Sequence, residues 1–104
     1  MAGKHYEFTA TLWLYSGKAA WHFVTVPHVI SADIRFLTAD NKRGWGAVPV
    51  AASIGGTTWQ TSIFPDKKSE CYLLPIKAEI RKAESLQAQG DVQVSQDIAA
   101  GMLL

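Results

Sequence analysis

Apolar and polar positions alternate from Tyr6 to Tyr15, with Phe8, Ala10, Leu12 and Leu14 on one face and Glu7, Thr9, Thr11 and Trp13 on the other. A period of two over that length predicts a strand with one buried face. Ser16-Gly17-Lys18 punctuates it, and the β-branched and aromatic run Trp21–Val26 follows. The two runs predict a hairpin, ended at Pro27 by the loss of a backbone donor. Ile30, Ile34 and Leu37 then recur at helical spacing, which predicts a short helix with Ser31 as its N-cap. Asp40–Gly44 stops the helix in an exposed loop.

The second half repeats this logic. Trp45–Ile54 reads as a strand, but Pro49 in its interior demotes it to an edge or breaks it. Gly55-Gly56 supplies the positive φ angles of a tight hairpin. Thr57–Phe64 runs back, with Trp59, Thr61 and Ile63 on one face and Thr58, Gln60, Ser62 and Phe64 on the other. Pro65–Lys68 reads as a turn, Glu70–Leu74 as a strand, and Pro75 as the opening of a helix along Ile76, Ile80 and Ala83. Val92–Gln96 alternates as the last strand after a turn at Gly90-Asp91. The prediction is a mainly β fold of six strands and two short helices over residues 1–104, a single domain. Strands apolar on both faces, and the edges an open sheet would expose, favour a small barrel with its wall split near Pro49. Phe8, Leu12, Val24, Val50, Ile63 and Leu74 are its expected core.

Composition narrows the class. Apolar residues make up 48% of the 104 positions and charged ones 18%, a globular balance. The formal charge of +1 excludes a strongly polybasic binder of nucleic acid or anionic membrane. The uncharged run from Gly44 to Pro65 is long enough to span a bilayer, but its glycines and polar residues break the apolar character. Met1–His5 has no apolar core, so a signal peptide is not expected. The single Cys71 excludes an internal disulfide and suggests a reducing cytoplasm; beside Tyr72 and Leu73 it is expected to be buried and inert.

Chemistry is sparse. His5, His22 and His28 have no metal-ligand spacing, and no metal or cofactor is expected. Ser62 and Cys71 are the available nucleophiles, but no motif supplies a base. The acids are scattered, so no catalytic residue is assigned and an enzyme is the weaker reading. Gly55-Gly56 precedes a strand rather than a helix and is not a phosphate loop. Core or barrel-end packing accounts for at least two of the four tryptophans, and an exposed pair would form a platform for a ligand ring. Lys77 and Arg81 share a helix face, either solvated and paired with Glu79 and Glu84 or forming an anion patch.

Trp21–Pro27, Gly44–Val50, Ile54–Pro65, Tyr72–Lys82 and Gly90–Val92 together resemble a bacterial domain-of-unknown-function family, number 1905 in its series. The resemblance runs from about Phe8 to Ile98, with one departure at Glu70, where that family often has glycine. It implies a small barrel similar to the double-split barrel of AbrB- and MazE-type proteins, and no established activity. Some members carry a second, helical domain of the YdeI/OmpD-associated type, which this chain is expected to lack. The expected function is a non-enzymatic binding or interaction module for an unidentified small anionic molecule or a protein. A nucleic-acid-binding regulator of AbrB type and an unrecognised enzyme are the alternatives. Tight nucleic-acid binding and membrane association are not expected, and either a monomer or a homodimer fits. If a ligand binds, it is expected near Trp59, Thr61 and Ser62, with Lys77 and Arg81 supplying positive charge, in the stretches that match the family best.

Overall fold

The computed structural model describes residues 3–17, 20–41 and 46–103. Its elements are β1 (Lys4–Leu14), β2 (His22–Thr25), α1 (His28–Leu37), β3 (Val48–Ile54), β4 (Thr57–Asp66), β5 (Cys71–Pro75), α2 (Ala78–Ala83) and β6 (Asp91–Ile98). A single 3-10 turn at Ala100–Met102 follows. The six strands close a barrel in the order β1-β2-β5-β4-β3-β6, every pair antiparallel.

Two long strands make closure possible. β1 pairs with β6 from Lys4 to Thr11 and then with β2 from Leu12 to Leu14. β4 pairs with β3 from Thr57 to Ile63 and then with β5 from Phe64 to Asp66. Each therefore leaves one sheet and enters the other, and the wall has two halves that share β1 and β4. The six residues expected in the core are all buried, none more than 8% exposed. Val94 and Ile98 of β6, Tyr72 of β5 and Ile76 are among the residues that join them. Burying each such large apolar side chain contributes about 1.5–3 kcal/mol, which is what drives closure.

The β3–β4 hairpin turns at Gly55, whose φ of +58° is left-handed. Glycine suits that backbone, and a Cβ there would also have to push aside the end of the Glu84 side chain. Glu84 accepts a hydrogen bond of 2.5 Å from the Thr57 hydroxyl and ties the turn to the end of α2.

Several expectations need correction. Ser31 is not an N-cap; α1 begins at His28 with Pro27 as its cap, and Ser31 is fully buried inside the helix. Its hydroxyl donates to the Val26 carbonyl at 2.9 Å and accepts from the Tyr72 N–H at 3.0 Å, joining α1 to β5. Pro65 and Asp66 belong to β4, opposite Tyr72 and Cys71, and the turn lies at 67–70. Pro75 ends β5 instead of opening a helix, and Lys77 is the N-cap of α2. Leu14 is half-exposed at the end of β1. Pro49 lies within β3 opposite Ser62, while pairing with β6 covers only Ala51–Ser53. The proline thus sits where one neighbour is missing and no donor is required. Lys18, Trp45 and the 42–44 part of the expected loop lie outside the described residues.

The turn after β4 ends on Glu70 with φ +61°, a left-handed conformation that glycine adopts more easily. Two hydrogen bonds hold it: Glu70 N–H donates to the Asp66 carbonyl at 2.9 Å, and Arg35 donates to the Glu70 carbonyl at 2.6 Å.

Candidate functional site

The outward positions of β1 change character along its length. Glu7, Thr9 and Thr11 are polar, but Trp13 and then Tyr15 are aromatic. β2 answers with Phe23, directly opposite Trp13. Tyr15 and Trp21 extend the pairing, the Tyr15 N–H donating to the Trp21 carbonyl at 2.7 Å. Four rings therefore meet on the outside of the barrel, around Phe23.

Phe23 stacks on Trp21 at 6.0 Å with 9° between the planes. Trp13 tilts against it at 5.3 Å, and Tyr15 meets it edge-on at 6.3 Å. These separations lie in the range where aromatic pairs attract. The Trp13 indole N–H donates to the Thr25 hydroxyl at 2.9 Å, which fixes that ring. The cluster is partly open to water: Tyr15 is 51% exposed and Trp21 52%, as is the neighbouring Phe64 at 42%. With Phe64 and Leu73 the rings line a groove of about 660 Å³, with Asp66 and Lys68 at its rim. Hydrogen bonding from Ser69 holds the Asp66 carboxyl below the usual carboxylate range.

Trp21 also faces a second, smaller groove of about 230 Å³. His22, Pro75, Ile76, Lys77 and Arg81 line the rest of it. Backbone pairing builds this corner: Phe23 opposes Pro75, and the Ile76 N–H donates to the His22 carbonyl at 2.9 Å. α2 therefore starts beside β2. Arg81 Nη1 donates to the Ile76 carbonyl at 3.0 Å, which anchors the guanidinium in the groove. Among the described residues, neither Lys77 nor Arg81 forms an ion pair. Glu84, considered above as a partner for them, is bound to Thr57.

The other residues named from the sequence lie elsewhere in the wall. Trp59 is on the inner-facing side of β4, opposite Ala52, and packs partly buried against the core. Its indole N–H is buried without a partner among the described residues, as is the carboxamide of Gln96 on β6. Thr61 opposes Val50 and Ser62 opposes Pro49, both half-buried. The groove that Lys77 and Arg81 share contains no residue of β4. The aromatic groove is the feature the sequence reading missed. Its signal was present: four aromatic residues stand at outward positions where a soluble strand carries polar ones.

Titratable groups cluster once more, nearer the start of β1. His5 lies between two carboxylates, with Nε2 2.8 Å from Glu7 and Nδ1 2.6 Å from Asp97. Hydrogen bonds first to Glu7 and then to Asp97 raise the imidazole pKa. Tyr6 donates to Asp33 at 2.6 Å, and burial together with that carboxylate pushes the phenol pKa up. No group of three or more His, Cys, Asp or Glu side chains among the described residues is placed to hold a metal ion. No helix among them is long and apolar enough to cross a membrane.

Comparison with curated proteins returns no match. A family model does match, over residues 8–95, and it takes in β2 to β5, α1 and α2 whole and most of β1 and β6. The chain belongs to DUF1905, a family described as a domain of unknown function.

Proposed function

We propose that this barrel is a small-molecule-binding module whose aromatic groove receives a flat apolar ring. One observation carries the reading: Trp13, Tyr15, Trp21 and Phe23 gather at outward positions and pack on one another, with Tyr15 and Trp21 about half open to water. Exposed apolar surface of this kind lowers solubility and is kept where something binds. A groove of about 660 Å³ matches the size of small-ligand pockets. The absence of a recognisable nucleophile–base pair in the sequence favours binding over catalysis. The free thiol of Cys71 is at home in a reducing compartment, which supports placement in the cytoplasm.

Titration with N-phenyl-1-naphthylamine, a neutral dye that fluoresces in apolar surroundings, tests this. The expected result is saturable binding of one dye per chain. Removing the stacked face in Trp21→Ala should weaken it about tenfold, the worth of one aromatic contact. Linear, non-saturating fluorescence, or equal binding by a folded Trp21→Ala variant, contradicts the proposal.

A further inference from the structure

We infer that the ligand is a ring-bearing anion, an aryl or heteroaryl carboxylate, sulfonate or phosphate. Its ring would occupy the aromatic groove and its charge the adjoining groove formed by His22, Lys77 and Arg81. This rests on the reading of the aromatic groove given above and adds a second subsite to it.

Trp21 lines both grooves, so the two are neighbours across one indole ring. The smaller one brings together a guanidinium, an ammonium and an imidazole. No carboxylate lies within ion-pair distance of Lys77 or Arg81 among the described residues. Surface cations are usually solvated and mobile, but Arg81 is half-buried and tethered by the Ile76 carbonyl. One of its terminal nitrogens is held by the protein, and the remaining donors of its planar fork are free for an acceptor. The His22 ring is fixed as well. Its Nδ1 donates to the Ala20 carbonyl at 3.0 Å, since a carbonyl can only accept.

Charge sets the direction in which the ligand lies. Asp66, held ionised by Ser69, stands at the rim of the aromatic groove with Lys68 beside it. Those two charges offset each other, whereas the Lys77 and Arg81 corner has positive charge and no such offset. An anion is therefore drawn to the Trp21 end. With one indole between ring and charge, the anionic group must sit on the ring or within a few bonds of it. A long flexible acid would not place both groups.

A matched pair of dyes tests the inference. 8-Anilino-1-naphthalenesulfonate carries the same fused and pendant rings as N-phenyl-1-naphthylamine, plus one sulfonate. The sulfonated dye should bind the wild-type protein about tenfold more tightly, as one charge-assisted contact allows. That advantage should shrink as sodium chloride is raised. In Arg81→Gln, and separately in the exposed Lys77→Gln, the ratio of the two dissociation constants should fall toward one. Among the described residues Lys77 makes no side-chain bond, so its variant remains informative even if Arg81→Gln is unstable. If both dyes bind with equal affinity, or the ratio survives in a folded Lys77→Gln and Arg81→Gln, the anion subsite is wrong and the aromatic groove stands. If neither dye binds, the aromatic-groove reading fails and this inference falls with it.

Discussion

Replacing Ser31 by alanine removes one oxygen atom and should cost far more than its size suggests. The hydroxyl is fully buried between α1 and β5. It donates to the Val26 carbonyl at 2.9 Å and accepts from the Tyr72 N–H at 3.0 Å. Each bond is worth about 1 kcal/mol net, and a buried N–H left without a partner costs about 1–3 kcal/mol. Alanine's better helix propensity returns at most ~0.5 kcal/mol. The expected loss is therefore about 2–3 kcal/mol, a large share of the roughly 5–15 kcal/mol that holds such a domain together. At about 4–8 °C per kcal/mol, the melting temperature should fall by roughly 10–20 °C. Ser53→Ala is the control, since the Ser53 hydroxyl bonds to Thr58 at 2.8 Å on the exposed outer face. It should change stability by no more than ~0.5 kcal/mol. Urea denaturation of both variants, with unchanged slopes, reads the difference directly. Equal midpoints for the two would refute the assigned role of Ser31.

Three further outcomes follow from the geometry. The folded-state pKa of His5 is raised above its ordinary 6.5, so its bonds to Glu7 and Asp97 stabilise the fold fully below that value and fade as pH rises through the raised one. The melting temperature should fall across that interval in the wild type and change less in His5→Gln. Glu70→Gly should raise stability by about 0.5–1 kcal/mol, because the left-handed backbone at this position suits glycine; a loss in a urea melt would contradict the assigned turn. Cys71 is 6% exposed, so a thiol reagent should label the native protein far more slowly than free cysteine, with urea restoring the fast rate.

Alternation made the fold legible. Phe8, Leu12, Val24, Val50, Ile63 and Leu74 face inward because period two leaves only two choices, and water decides between them. Two prolines misled: Pro65 reads as a turn but lies within β4, and Pro75 reads as a helix opener but is the last residue of β5. Pro49, read as marking an edge, does lie in β3 where β6 no longer pairs. Ser31 misled as well: a small hydroxyl near a helix start can cap that helix or serve a neighbouring strand, and only the position of Tyr72 decides. Closure through β1 and β6 joins residues nearly the whole chain apart, a pairing that no local pattern encodes. The site was half legible. Helical spacing placed Lys77 and Arg81 together, and they line one groove. Which tryptophan stands beside them depends on β2 pairing with β5, and that pairing brings Trp21 rather than Trp59 to their groove.

The four indole N–H groups allow the central claim to be tested in one titration. Each gives a separate signal in a proton–nitrogen correlation spectrum, assignable by single Trp→Phe variants. Adding N-phenyl-1-naphthylamine should shift the signals of Trp13 and Trp21 along one saturable curve and leave that of Trp59, whose indole N–H is buried, in place. A saturable shift at Trp59 with Trp13 and Trp21 unmoved would contradict the account and put the ligand on the β4 side of the barrel.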